Sequence, residues 1–272
     1  MPIGGPRTLA PMATVPTRRE PPQFREVGVV RTEARSPHMV RVTLGGPSLE
    51  GFDGGLPAAS VRVLLPVEGD ELVVPEWNGN EFLLEDGSRP IIRTLTPLRF
   101  EPDALELEVD VVLHGDGPLS AWAATARPGD RVAVSGTGRG YEVDPDARAY
   151  LVAGDESALP AIDVLLRALP AEAEVLVLVE VRHLDARVEL PAHAGATVEW
   201  FELEPDARPG DALVAAVTGA RLDPDVRVWA AGEAAAVHRI RRYLFTDQGL
   251  PRSRAVVRGY WKHGRDDVAG AG

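Results

Sequence analysis

Short runs of alternating apolar and charged residues fill the first half of the chain from about Glu26. Segments of this kind, separated by glycine and proline, predict β-strands that bury one face. Six such strands are predicted, over residues 25–36, 38–46, 60–66, 91–100, 104–114 and 131–135. A single short helix is predicted over 119–126. Six short strands at this spacing favour an antiparallel β-barrel.

The pattern changes after about Arg148, where short apolar strands begin to alternate with amphipathic helices. Strands are predicted over 149–154, 174–181, 197–203, 226–232 and 253–261, and helices over 157–170, 210–220 and 233–249. The run from Glu174 to Val181 is almost continuously apolar, as expected for a strand buried on both faces. The predicted fold class is therefore a six-stranded antiparallel barrel followed by a parallel-sheet α/β domain of the nucleotide-binding type.

The length of 272 residues agrees with two domains rather than one. We place the barrel domain at 23–147 and the α/β domain at 148–265. The segments 1–22 and 266–272, rich in small residues, glycine and proline, are predicted to be disordered tails.

Composition excludes several classes of function. The net charge of −12 argues against binding to nucleic acid, which needs a basic surface. No apolar run approaches the roughly 18 residues that a membrane helix needs, and the N-terminus lacks the apolar core of a secretory signal. We therefore expect a cytoplasmic protein without membrane insertion. Cysteine is absent and the six histidines have no metal-ligand spacing, so no metal site is predicted.

One stretch combines a strand, a glycine turn and a helix start. The β-branched run from Val109 breaks at His114, and a helix begins after Gly117 and Pro118, with Ser120 in its first turn. Unpaired amides and the positive end of the helix dipole meet at such a point, which suits a phosphate group. Arg93 lies on the preceding strand, and pairing of adjacent antiparallel strands would bring it near; the alternative is a surface arginine.

Glycine ends two of the apolar strands in the second half, at Gly154 and Gly232. Ligands of doubly wound sheets bind beyond the carboxyl ends of the strands, so two such turns predict a nucleotide crevice. Each glycine alone could simply make a turn, and the dinucleotide fingerprint G-x-G-x-x-G is missing. Asp155 and Glu156 are candidates for paired acid–base carboxylates, or for acids that complement a helix dipole.

The acidic chain ends on an unusually basic and aromatic segment. Arg258 and Lys262 flank Tyr260 and Trp261. This segment is either a solvated basic terminus with core aromatics, or an aromatic wall for a planar cofactor with cations for an anionic ligand.

Four motifs in order resemble the siderophore-interacting protein family, a branch of the flavin-dependent ferredoxin-reductase-like superfamily. They are RTLTPLR at 93–99, VLHGDGPLSAWA at 112–123, GDESALPAI at 154–162, and WAAGEA with GYWKHG at 229–234 and 259–264. The resemblance spans about Gly28 to Arg265. It implies an FAD-binding barrel, a pyridine-nucleotide-type domain, and cytoplasmic reduction of ferric siderophores to Fe(II). Electrons would come from NAD(P)H or reduced ferredoxin, and the flavin rather than a catalytic side chain would carry them.

The resemblance also assigns site residues, with departures at two of its positions. Leu95 stands where relatives often have tyrosine, and Leu98 where they often have arginine. The implied cofactor-binding residues are Arg93, Thr94, Leu95 and Thr96 on the flavin strand, His114, Gly117, Pro118 and Ser120 in the pyrophosphate loop, Gly154, Asp155, Glu156 and Ser157 at the opening of the second domain, Gly232 and Glu233 at its later turn, and Tyr260 and Trp261 on the last strand. Arg258 and Lys262 are the implied contacts for the ferric siderophore.

Two rival functions remain open at this point. One is a general NAD(P)H:flavin or electron-transfer oxidoreductase whose acceptor is not a siderophore. The other is a flavin- or siderophore-binding protein without an enzymatic role, because Leu95 can pack against a flavin but cannot hydrogen-bond to it.

Overall fold

The computed structural model describes residues 21–67, 71–115 and 117–264. The predicted disordered tails lie outside these residues, apart from Pro21 and Pro22. Within the described ranges, no helix is both long enough and apolar enough to cross a membrane.

The described residues of the first half form nine strands and one α-helix: β1 (Phe24–Ser36), β2 (Met39–Gly45), β3 (Val61–Leu64), β4 (Glu76–Trp77), β5 (Phe82–Leu83), β6 (Ile92–Leu95), β7 (Pro97–Glu101), β8 (Glu106–Val112), α1 (Pro118–Thr125) and β9 (Arg131–Ser135). The second half supplies β10 (Ala149–Asp155), α2 (Leu159–Ala168), β11 (Glu174–Val181), β12 (Ala196–Glu202), α3 (Asp211–Gly219), β13 (Arg227–Glu233), α4 (Ala234–Arg242) and β14 (Ala255–Trp261). The predicted domain boundary at residue 147 falls between β9 and β10.

Seven strands of the first half form an antiparallel sheet in the order β6-β3-β9-β1-β2-β8-β7. Its two edge strands, β6 and β7, are consecutive in the chain and separated only by the buried Thr96. The sheet must therefore curl until its edges meet, which gives the barrel. Alternate apolar residues of these strands fill its interior, among them Val42, Leu44, Val63, Val109 and Val134.

The predicted number of six barrel strands is wrong, because the sheet has seven. The fourth predicted strand, over 91–100, is two strands broken at Thr96, and a small hairpin of β4 and β5 is added at the Asn78-Gly79 turn. One straight strand cannot pair at both edges of a sheet. The break lets β6 pair with β3 while β7 pairs with β8.

The second half forms a parallel sheet in the order β12-β11-β10-β13-β14, with helices on both faces, and this confirms the predicted fold class. Strand β11 matches its predicted range, and its residues alternate between two apolar clusters. Val177 and Val179 pack with Ile162 of α2, whereas Leu178 packs with Leu213 of α3. Burial on both faces explains the continuous apolar run.

The order of the strands locates the site. The first strand of this sheet, β10, lies between β11 and β13, so successive connections leave it in opposite directions. Ligands of doubly wound sheets bind at such a switch point, beyond the carboxyl ends of the strands. The last helix is shorter than the predicted 233–249, because α4 ends at Arg242 and continues as a π-helical turn over Tyr243–Asp247.

Candidate functional site

The end of β14 brings the four sequence motifs together. The Tyr260 phenol interacts with the Thr96 side chain at the break between β6 and β7. The Trp261 ring centre lies 6.4 Å from that of His114, which follows β8, and the Trp261 indole N–H donates to Asp155 Oδ2 at 2.8 Å. Residues up to 165 positions apart therefore meet where the barrel contacts the α/β domain.

Trp261 lies at the centre of this meeting point. Beyond His114 and Asp155, its ring is approached by the Arg182 guanidinium, whose carbon lies 5.8 Å from the ring centre, and by the His263 ring at 6.4 Å. An arginine over an indole face is held by a cation–π attraction. The ring and the N–H of Trp261 thus have neighbours that define its orientation.

The Asp155 carboxylate is the anchor of that arrangement. It is 7% exposed and accepts four hydrogen bonds. Oδ1 accepts from the Ser157 amide at 3.0 Å and the Ser157 hydroxyl at 2.5 Å, and Oδ2 accepts from the Glu233 amide and the Trp261 indole, both at 2.8 Å. One side chain therefore ties together the ends of β10, β13 and β14.

Close packing explains the two glycines at the strand ends, and at Gly232 the neighbour is the Asp155 carboxylate. A Cβ on Gly232, whose φ is +149°, would lie 2.5 Å from Asp155 Oδ2. A Cβ on Gly154 would overlap the Cβ of Ala158. Both positions need glycine because of close approach, so the glycines do more than make turns.

Burial shifts the proton affinities of two groups here. It raises the pKa of the Asp155 carboxyl, while the hydrogen bonds from Ser157, Trp261 and Glu233 act in the opposite direction. It also raises the pKa of the Tyr260 phenol, opposed by the Arg258 charge and the Thr96 hydrogen bond. Tyr260 therefore presents a neutral hydroxyl at physiological pH.

The start of α1 has the geometry predicted for a phosphate site. Gly117 occupies the N-cap position, and none of the described side chains caps the helix there. Ser120 Oγ accepts the His114 amide at 2.9 Å, so the hydroxyl hydrogen is left to donate elsewhere. Gly115 has a φ of +57°, and Pro118 at the first helical position has no N–H to lose. Open amides at a helix start fit an anionic oxygen.

The predicted flavin strand is placed differently from our expectation. Arg93 lies opposite Val63 of β3, so β6 pairs with β3 and not with β8 as expected. Residues of β6 and β8 nevertheless lie close together in the closed barrel. Its Nη1 donates to the Ile92 carbonyl at 3.0 Å. Thr94 is exposed, and Leu95 packs against the apolar interior of the barrel.

The polar side chains of the predicted nucleotide side bind within the protein. Glu156 Oε1 accepts the Arg182 amide at 2.6 Å. Glu233 Oε2 accepts the Ala236 amide at 2.9 Å, and its Oε1 accepts the His263 amide at 3.2 Å. Glu233 thus caps the start of α4, as Asp155 caps the 3-10 turn before α2. Asp155 therefore has the second of its two predicted roles, that of an acid at a helix start.

Glu180 completes this set of buried carboxylates, and it was not predicted from the sequence. It is 4% exposed at the end of β11 and accepts the amides of Gly210 at 2.6 Å and Leu213 at 2.9 Å, at the start of α3. Burial raises the pKa of its carboxyl against these two hydrogen bonds.

The two predicted substrate cations differ in their surroundings. The Arg258 guanidinium donates to the carbonyls of Arg139 at 3.1 Å and Gly140 at 3.0 Å, so it holds the barrel loop that follows β9 against β14. Lys262 is exposed directly after Trp261. Only Lys262 of this pair presents its charge to solvent without a hydrogen bond among the described residues.

A cleft of about 580 Å³ lies beyond the carboxyl ends of β11 and β12, and sequence reasoning missed it. Its charged and imidazole side chains are Arg182, His183, Glu202, Glu204, Arg208 and His263. A smaller cavity at the domain interface, lined in part by His114, Asp155 and Trp261, shares Arg182 with it. Because Arg182 directly follows the apolar run 174–181, the rule that ligands bind at strand ends could have found it.

Comparisons with known proteins agree with these motifs. Residues 28–140 match the model described as "Siderophore-interacting FAD-binding domain", and residues 147–264 match the one described as "Siderophore-interacting protein". The chain is 37% identical to an uncharacterized protein of Mycobacterium tuberculosis, over 88% of this chain and 90% of that one. It is 32% identical to the NADPH-dependent ferric-chelate reductase of Escherichia coli, over 88% and 93%. The crystal structure of a siderophore utilization protein from T. fusca superposes with a TM-score of 0.80 at 36% identity, over 92% and 97%.

Proposed function

The chain belongs to the siderophore-interacting protein family, and we propose that it is an FAD-dependent oxidoreductase that reduces ferric siderophores and releases iron as Fe(II), with NAD(P)H as donor. The observation that carries the proposal is the meeting of four motifs from both halves around Trp261. The names of its relatives, among them an NADPH-dependent ferric-chelate reductase, support the same reaction. We place the reaction in the cytoplasm.

The barrel residues fit FAD. The open start of α1, with Ser120 and Gly117, would hold the pyrophosphate, because its amides are not capped by a described side chain. Arg93 and Thr96, at the end of β6, would contact the flavin half. Bound FAD supplies the electron chemistry, because a flavin accepts two electrons as a hydride and passes them on singly.

The residues of the chain supply binding, orientation and charge. Trp261 and Tyr260 form an aromatic wall at the domain interface, and Asp155 fixes the indole through its N–H. Lys262 extends the wall with an exposed cation, which would attract an anionic ferric siderophore locally against the net charge of −12. The iron is substrate: oxygen donors hold Fe(III) far better than Fe(II), so one electron loosens the chelate.

The proposal is tested with the purified protein and added FAD. We expect a flavin absorbance spectrum that is bleached anaerobically by NADH or NADPH, and NAD(P)H oxidation that depends on a ferric siderophore, with Fe(II) captured by a chelator. Turnover with ferricyanide but not with any ferric siderophore would favour a general electron-transfer oxidoreductase. A flavin that is bound but not reduced by NAD(P)H would favour reduced ferredoxin as donor, or a binding protein without turnover.

Two substitutions test the FAD site. We expect Arg93→Ala and Ser120→Ala each to weaken FAD binding by about 1–3 kcal/mol, because each removes a donor to the cofactor. Ser120→Ala also leaves the His114 amide without its acceptor. Titration of the apoprotein with FAD, followed by quenching of flavin fluorescence, measures the change. Lys262→Ala is the control: it should keep the FAD affinity and raise the KM for an anionic siderophore. Unchanged FAD affinity in both variants would place the cradle elsewhere.

A further inference from the structure

The helix starts of the α/β domain are filled by the protein's own carboxylates. Helix starts commonly bind the phosphates of nucleotides, because free amides and the helix dipole point at the ligand. Here Asp155 caps the 3-10 turn before α2, Glu180 accepts two amides at the start of α3, and Glu233 caps α4. These three carboxylates are 4–7% exposed.

A nucleotide phosphate could not bind at these helix starts without removing a buried acid. The amides it would need are already hydrogen-bonded at 2.6–3.0 Å. A phosphate placed beside them would also meet three negative side chains in surroundings that screen charge poorly. The contrast is with α1 of the barrel, whose start holds no such carboxylate among the described residues. The diphosphate of a pyridine nucleotide therefore needs side-chain cations.

The cleft beyond β11 and β12 offers such cations. Arg182 and Arg208 line it, and both are exposed. Arg182 lies over Trp261 and also borders the interface cavity, so the cleft continues to the point where the flavin and nicotinamide would meet. Its volume of about 580 Å³ falls in the usual range for small-molecule sites. A guanidinium is well suited to a diphosphate, because its planar fork can donate two parallel hydrogen bonds.

We propose that Arg182 and Arg208 bind the diphosphate of NAD(P)H in this cleft, in place of the helix starts that hold Asp155, Glu180 and Glu233. This assignment rests on the proposed function, because it requires a pyridine nucleotide as electron donor. Glu202 and Glu204 border the same cleft at the end of β12 and oppose additional phosphate there. Their charges make the cleft less favourable to the additional 2′-phosphate of NADPH.

The experiment uses the FAD-loaded protein and three matched arginine variants. Arg182→Ala and Arg208→Ala remove the proposed ligands, whereas Arg221→Ala removes an exposed arginine beside a cavity at the amino ends of the same strands. Calorimetric titration with ADP-ribose, which carries the diphosphate without the nicotinamide, gives the Kd directly. We expect Kd to rise about tenfold or more for Arg182→Ala and Arg208→Ala, and less than about twofold for Arg221→Ala. Arg208 is the cleaner probe, because Arg182 also packs on Trp261.

A gain-of-affinity variant excludes misfolding as the cause. Glu204→Gln removes a negative charge from the cleft, and we expect it to tighten NADPH binding by about twofold to tenfold. If ADP-ribose does not bind, or if both cleft variants bind it as tightly as the parent protein, the assignment is overturned. Re-oxidation of dithionite-reduced protein by a ferric siderophore needs no nucleotide. That reaction reports on the proposed function separately, and it should survive in the Arg208→Ala, Arg221→Ala and Glu204→Gln variants.

Discussion

Replacement of Asp155 by alanine is expected to lower the free energy of unfolding by about 3–5 kcal/mol, since buried donors left without an acceptor cost about 1–3 kcal/mol each. The carboxylate accepts from two amides, one hydroxyl and the Trp261 indole. Without it the ends of β10, β13 and β14 lose their common anchor. Among the described residues, Asp155 is also the one hydrogen-bond acceptor of the Trp261 indole N–H. Because the indole loses its orientation without it, we expect ferric-siderophore turnover to fall roughly 10–100-fold.

Urea denaturation followed by circular dichroism, together with kcat at saturating FAD, measures both effects. Ser157→Ala is the matched control, because it removes the hydroxyl donor but keeps the carboxylate and the indole contact. It should cost about 1 kcal/mol and leave kcat within about threefold. An Asp155→Ala protein with the stability and turnover of the Ser157→Ala protein would contradict the anchoring role.

Gly232→Ala is expected to lower the free energy of unfolding by about 2–4 kcal/mol. The residue has a φ of +149°, which side chains rarely adopt, and an added Cβ would lie 2.5 Å from Asp155 Oδ2 and 2.8 Å from its Cγ. To make room, the carboxylate must move away from the Glu233 amide and the Trp261 indole. Stability and the Trp261 environment should therefore change together, which denaturation monitored by tryptophan fluorescence will report.

Gly249→Ala separates the two contributions to the destabilisation expected for Gly232→Ala, which are the backbone conformation and the clash with Asp155. Gly249 has a φ of +66°, but an added Cβ would meet no atom within 4 Å. Only the conformational cost of about 1 kcal/mol is expected there. In the double variant Gly232→Ala with Asp155→Ala the clash is absent. Its loss of unfolding free energy should therefore be smaller than the sum of the losses in the two single variants. Strict additivity would mean that the glycine is not required by the carboxylate.

Much of the fold could be predicted because it depends on local periodicity. Strand β11 was found at its full range, since burial on both faces leaves a continuous apolar run. The break at Thr96 was missed, although Pro97 and the shift in apolar phase between Leu95 and Leu98 mark it in the sequence. It is required by the closure of the barrel, in which β6 and β7 pair with strands far apart in sequence.

The candidate site, like the fold, could be predicted only in part from the sequence. The composition of the motifs pointed to Asp155, His114 and Trp261, and the structure brings these three together. Sequence could not say that the acids face inward to amides, because a carboxylate after a strand looks the same whether it binds a ligand or caps a helix. Arg182 belongs to no glycine turn or motif, and only its position directly after a strand end indicates a ligand contact.

Anaerobic reaction of the reduced protein with a ferric siderophore tests the central claim most directly. The FAD-loaded protein is reduced with one equivalent of dithionite and mixed, without NAD(P)H, with a ferric siderophore and an Fe(II) chelator. We predict that the flavin absorbance returns and that about two Fe(II) are captured per flavin, because a flavin gives up two electrons singly. A flavin that stays reduced in the presence of the ferric siderophore, with no Fe(II) captured, would contradict the account.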